Sequence, residues 1–171
     1  MKIRFATALA ALSLAGLGLV ADPAQAAAPG VSNEAEFLAA VENANADPSV
    51  TEIVFAPNAV IELTDEVRYT GLQDLTLVGR GAMISGATVT ADTDTWDSGL
   101  FVSESGGDLT VRRLTFANSF NNGLSVFLPP GSGTVEIVLD DVTVTKAQFH
   151  GVLIDGQATT GYNTDDFVHP N

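Results

Sequence analysis

Hydrophobic positions along this chain follow a helical period over one short stretch and an alternating one over most of the rest. Phe37, Leu38, Val41 and Ala44 recur at helical spacing and predict an amphipathic helix over 33–46. Asn33 is its N-cap, Glu36 three residues later completes a capping box, and Asp47-Pro48 ends it. Beyond residue 51 the helical spacing disappears. Short runs rich in β-branched residues, separated by Gly, Asn, Asp and Pro, predict strands instead. The first turn of chain holds Ile53 to Phe55, Val60 to Leu63 and Val67 to Tyr69. The second holds Leu75 to Val78, Ala82 to Ser85 and Leu100 to Ser103, with an insertion near Thr88 to Asp97.

Four of the runs open alike, on an acid, an apolar residue, any residue and a second apolar one. They are Glu52-Ile53-Val54-Phe55, Asp74-Leu75-Thr76-Leu77, Asp108-Leu109-Thr110-Val111 and Glu136-Ile137-Val138-Leu139, spaced by 22, 34 and 28 residues. Such periods mark stacked repeats. At an offset of 28, Leu109, Val111, Leu114, Phe116, Gly123, Leu124 and Val126 fall on Ile137, Leu139, Val142, Val144, Gly151, Val152 and Ile154. Apolar phase is conserved between these two turns while identity is not, as coils that stack require. The predicted fold is all-β: a right-handed parallel β-helix solenoid of about four rungs, capped by the N-terminal helix. Short strands with turn signals also fit a sandwich or a jelly roll, and the period and single helix favour the solenoid.

Cap helix, acid-led strands and coils of roughly 22 residues with variable loops make 32–155 resemble the pectate-lyase-like β-helix superfamily. The resemblance implies a fold and leaves activity open, since that superfamily spans lyases, hydrolases, esterases, adhesins and phage tailspikes. Its polygalacturonases use Asn-Thr-Asp, a paired Asp and Gly-His-Gly. Here Asn163-Thr164-Asp165-Asp166 and His169 follow His150-Gly151, so the order is inverted, and Phe149 stands where the first Gly belongs. A turn residue preceding the repeated Gly is the better reading of His150, and no catalytic residue is assigned.

Stacking assigns partners to the charged positions. Arg112-Arg113 fall on Asp140-Asp141 and are expected to form structural pairs between rungs. Glu52, Asp74, Asp108 and Glu136 are expected to form a column of four carboxylates, a candidate Ca²⁺ site because that cation takes oxygen ligands in flexible geometry. Asp92, Asp94 and Asp97 in the insertion form a second candidate for a cation, and Trp96 among them is a candidate for stacking on a sugar ring.

Composition sets the compartment. Lys2 and Arg4, the apolar run Phe5 to Val20 and the small-x-small Ala24-Gln25-Ala26 read as a signal peptide over 1–26, followed by a linker over 27–32. Its removal changes the net charge from −14 to −15, with five basic and twenty acidic residues left. A chain this acidic repels nucleic acid and anionic membranes. It has no cysteine, so disulfides and thiolate metal sites are excluded, and no second apolar segment long enough to span a bilayer. The expected destination is secreted, periplasmic or cell-surface. The 156–171 tail is polar and carries no fifth acid-led strand or cap, which suggests an unfinished solenoid leading into further rungs, or self-association through the open last one. The functional expectation is an extracellular scaffold or binding domain for polysaccharide or a surface component. The alternative is the N-terminal part of a polysaccharide lyase or glycoside hydrolase.

Overall fold

The structure is a computed structural model that describes residues 30–86 and 99–156. The signal segment, Asp92, Asp94, Trp96, Asp97 and the tail beyond residue 156 lie outside the described residues. Among the described residues one helix, α1 (Glu34–Ala46), precedes ten strands. Asn33 caps it, its Oδ1 accepting the Glu36 N–H at 3.0 Å. The Glu36 carboxylate reaches one residue further back than a capping box requires and accepts both the N–H and Oγ–H of Ser32 at 2.8 Å. Phe37, Val41 and Ala44 are buried, and the Phe37 ring packs at a tilt against Phe55 (centroids 5.2 Å apart) and Phe101 (6.1 Å). Leu38, expected on that apolar face, is 36 % exposed.

The first pass of chain forms β1 (Glu52–Val54), β2 (Val60–Glu62) and β3 (Val67–Tyr69). The second forms a long strand β4 (Leu75–Ser85) and β5 (Phe101–Ser103), and the third forms β6 (Leu109–Ala117) and β7 (Leu124–Phe127). The fourth forms β8 (Ile137–Asp140), β9 (Thr143–Thr145) and β10 (Val152–Asp155). Every strand pair is parallel. One sheet runs β1-β4-β6-β8, with β2 on β4 and β9 on β6; the other runs β10-β7-β5-β3. Each pass therefore pairs with the next at three places along its length, and the core lies between the sheets.

The alternation of the sequence explains the burial. Leu75, Leu77, Ala82 and Ile84 on β4 and Leu109, Val111, Leu114 and Phe116 on β6 point inward, while their neighbours Thr76, Arg112 and Thr115 face out to varying degrees. The 28-residue offset holds throughout: Leu109 pairs with Ile137, Thr115 with Thr143, and Leu124 with Val152. The first offset differs from the expected 22. Glu52 pairs with Thr76 and Ile53 with Leu77, an offset of 24, so Glu52 is not in line with Asp74. A two-residue slip keeps every inward residue inward, which is why apolar phase alone did not reveal it.

β4 and β6 bend part-way along. Arg80 and Arg113 occupy left-handed backbone there, as does Asp141 between β8 and β9. Gly79 lies so close to the β6 bend that an added Cβ would sit 2.2 Å from the Arg113 carbonyl oxygen. That glycine permits the two passes to nest. At the start of the stack, Val31 bridges Phe55 in parallel and α1 lies over the first pass, so this end is closed. No helix among the described residues is long and apolar enough to cross a membrane.

Candidate functional site

Three of the four acid-led openings do line up. The register Leu75–Leu109–Ile137 places Asp74, Asp108 and Glu136 at successive strand starts. The Asp108 N–H donates to Asp74 Oδ1 at 2.9 Å, and the Glu136 N–H donates to Asp108 Oδ1 at 2.7 Å. Backbone bonds run the other way, Leu75 N–H to Asp108 O (2.9 Å) and Leu109 N–H to Glu136 O (3.0 Å). Each aspartate thus holds the amide that begins the next strand, a charge-assisted bond worth about 1 kcal/mol at an exposed site. Neighbouring carboxylates about 4.8 Å apart repel by about 0.9 kcal/mol in water, so the bond and the repulsion nearly offset. The two bonds tie each strand start to the next and so help set the register. Among the described residues, no three His, Cys, Asp or Glu side chains are grouped so as to hold a metal ion.

Glu52 lies elsewhere, lining a depression of about 320 Å³ between α1 and β1 with Val31, Ala40, Asn43, Asp47 and Val50. Asp47 is committed within it: its Oδ1 accepts the Ser49 N–H (2.9 Å) and Oγ–H (2.7 Å), bonds that hold its carboxyl below the usual range. Arg112 and Asp140 are partners in register, as the repeat implied. Arg113 and Asp141 sit at the two bends. Neither pair closes to ion-pair distance among the described residues, where both ion pairs belong to Arg68, with Glu66 and with Glu104 (2.6 Å). The bends are the physical reason for Arg113, since left-handed backbone redirects the side chain away from the strand's own alternation.

Two polar clusters escaped the sequence reading. Gln73 donates through Nε2 to the carbonyls of Ala44 (2.6 Å), Val50 (3.0 Å) and Asp47 (3.4 Å), tying the end of the helix to the second pass. Beside it the buried Tyr69 hydroxyl donates to the Gln73 carbonyl at 2.6 Å, and burial pushes its pKa up. Asn122, buried at the turn after β6, donates to Ser125 Oγ (3.0 Å) and accepts the His150 N–H on Oδ1 (3.0 Å), with His150 Nδ1 at 3.2 Å. Ser119 Oγ donates to the Asn122 carbonyl at 2.5 Å. The sequence marked Gly123 only as a repeated position matching Gly151; that the Asn122 side chain would clamp the next pass was not legible. His150 is thereby placed as a turn residue, before Gly151, whose carbonyl accepts the Leu124 N–H at 3.1 Å.

Comparisons with protein-family models, with curated proteins and with solved structures found no match. The chemistry of this chain rests on its own geometry. Aspartate, asparagine and glutamine side chains are used here to fasten one pass to another, and outward strand positions lie beside one another in parallel rows.

Proposed function

We propose that this chain is an exported parallel β-helix of the pectate-lyase-like kind that works outside the cytoplasm as a scaffold or binding domain for polysaccharide or another surface component. The observation that carries this reading is the pairing of every pass with the next at three places, all in parallel, with a helix over the first pass. Rows of outward residues, such as Thr76–Thr110–Val138, then form a regularly spaced surface suited to an extended polymer. The leader-like 1–26 segment and the acidic balance support an exterior destination. The acidic surface favours neutral or cationic glycans, or anionic ones bridged by Ca²⁺.

Export is tested by N-terminal sequencing of the protein recovered outside the cytoplasm, which should begin at Ala27. Binding is tested by titrating the exported chain into neutral, cationic and uronic-acid polysaccharides with and without Ca²⁺, while following unsaturated-product absorbance and reducing ends. Saturable binding without product is the expected result. Retention in the cytoplasm or absence of binding refutes the proposal, and product formation by this chain replaces it with a lyase or hydrolase.

A further inference from the structure

Asn122 and Gly123 meet the fourth pass through the main chain of His150. The His150 N–H donates to Asn122 Oδ1 at 3.0 Å, and the His150 carbonyl accepts the Gly123 N–H at 3.2 Å. Asn122 Nδ2 donates to Ser125 Oγ at 3.0 Å, and the residue is 3 % exposed. Each of the two residues suits its place for a physical reason. An added Cβ at 123 would lie 2.5 Å from Val144 Cγ1 and 2.8 Å from the Gly151 carbonyl oxygen, so the close approach of the two passes calls for glycine. Asparagine is the short side chain that accepts at one atom and donates at the other, as the two bonds require. The stacking of the third and fourth passes thus brings together an Asn-Gly step, the one such step in the sequence.

We propose that Asn122-Gly123 is a self-modification site, whose deamidation is held off by the turn at 148–151 and, once it occurs, unfastens the fourth pass. In the reaction the Gly123 amide nitrogen attacks Asn122 Cγ, and glycine leaves that approach unhindered because it has no side chain. The Cγ–Nδ2 bond breaks, and the amide proton departs with the side-chain nitrogen as ammonia. Water then opens the cyclic imide, giving aspartate or an isoaspartate whose main chain runs through Cγ. No oxidant or reductant takes part. Attack requires the main-chain nitrogen to come free and the side-chain amide to reach it in a near-attack geometry. In the fold His150 engages both groups, the amide oxygen through its N–H and the nitrogen through its carbonyl. Residues 148–151 are exposed, and opening of this turn releases both groups together. Either product weakens the clamp. Aspartate sets a charge where the side chain is buried and has no N–H for Ser125 Oγ. Isoaspartate lengthens the main chain just ahead of β7, whose register with β10 begins at Leu124 and Val152. The altered residue cannot rebuild the original bonds, so the change is retained.

The full chain is incubated at one neutral pH, folded in buffer and unfolded in urea, and conversion at each asparagine is followed by peptide mapping with mass spectrometry and isoaspartate detection. Asn122 should convert faster than the other asparagines in urea, and at least about tenfold more slowly in the folded chain than in the unfolded one. His150→Pro removes the N–H that holds Asn122 Oδ1 and should speed conversion in the folded chain by about tenfold. Ser125→Ala leaves the turn intact, frees Asn122 Nδ2 and should speed it by a smaller factor. A far-UV spectrum verifies that each variant folds. A series at low urea serves in the parent whether or not they do, since conversion of Asn122 and hydrogen exchange of the Gly123 amide should rise together. Asn122→Asp installs one product. It should speed exchange of the Leu124 and Leu128 amides, which donate to the Gly151 and Asp155 carbonyls of the fourth pass, and leave α1 unchanged. The proposal is overturned by equal conversion in the folded and unfolded chains, by absence of conversion in urea, by conversion that does not follow Gly123 exchange, or by unchanged exchange at Leu124 and Leu128 in Asn122→Asp.

Discussion

Replacing Asp108 separates the two jobs a carboxylate can do at the start of a strand. Asp108→Asn and Asp108→Ala both remove the charge, and with it repulsion of about 0.9 kcal/mol from each neighbour in water, less in salt. Only asparagine keeps an oxygen where Asp108 Oδ1 accepts the Glu136 N–H at 2.7 Å. The difference between the variants therefore isolates the hydrogen bond. At an exposed site this is about 1 kcal/mol in favour of asparagine. For a chain of this size that separates the two melting temperatures by about 2–4 °C. Urea unfolding followed by circular dichroism gives the same difference as a shift in midpoint at constant slope. Asp108→Asn should equal or exceed the parent in stability, and millimolar Ca²⁺ should move none of the three curves. Equal stability of the two variants refutes the register role. A parent that Ca²⁺ stabilises, beside variants it does not, makes the row a cation site instead.

Four other perturbations follow from named residues. Gln73→Ala removes the bonds to Ala44, Asp47 and Val50 carbonyls and should cost about 2 kcal/mol, with faster hydrogen exchange in α1 before β6 is affected. Arg113→Gly relieves left-handed backbone at φ 48° and should stabilise the chain by up to about 1 kcal/mol, read by the melting temperature; destabilisation would assign the Arg113 side chain a contact of its own. Acid should loosen the helix start and end first. The Ser32 amide holds the Glu36 carboxyl below its usual 4.5, and the Ser49 amide holds Asp47 below 3.8. Their contribution is complete above those usual values and is lost as pH falls through the lower folded ones, so helical ellipticity measured from pH 6 to pH 2 should decline only below about pH 4.5. Tyr69 has the opposite sign: burial raises its pKa, so its contribution is present below 10.0 and lost as pH rises beyond it.

Much of the fold was legible because stacked strands constrain the phase of apolar residues. The helix ran to Ala46 as its pattern implied, and β3 matched its expected limits. Leu75–Val78 and Ala82–Ser85 proved to be halves of one strand, because Gly79 and Gly81 flank a bend at which the pairing with β6 shifts register and then resumes. Glu52 misled for a related reason: a slip of two residues is invisible to a period of two. The Gln73 tie holds the start of the second pass to the end of the helix, a polar contact that apolar phase does not report. The role of the acids was hidden as well. A repeated carboxylate reads equally as solvent exposure or as a ligand row, and only the positions of the next pass's amides show that Asp74 and Asp108 are acceptors.

The central claim is parallel stacking at a 28-residue offset, and it is tested most directly in this cysteine-free chain by oxidising the double variant Thr110→Cys/Val138→Cys. These outward residues are paired in register across β6 and β8, within the Cα separation of about 4.4–6.8 Å that a disulfide spans. Rapid, near-complete intramolecular cross-linking with retained circular dichroism is the predicted result, with the out-of-register pair Val78→Cys/Val138→Cys remaining reduced. Failure of the first pair to cross-link, or equal cross-linking of both, would contradict the account.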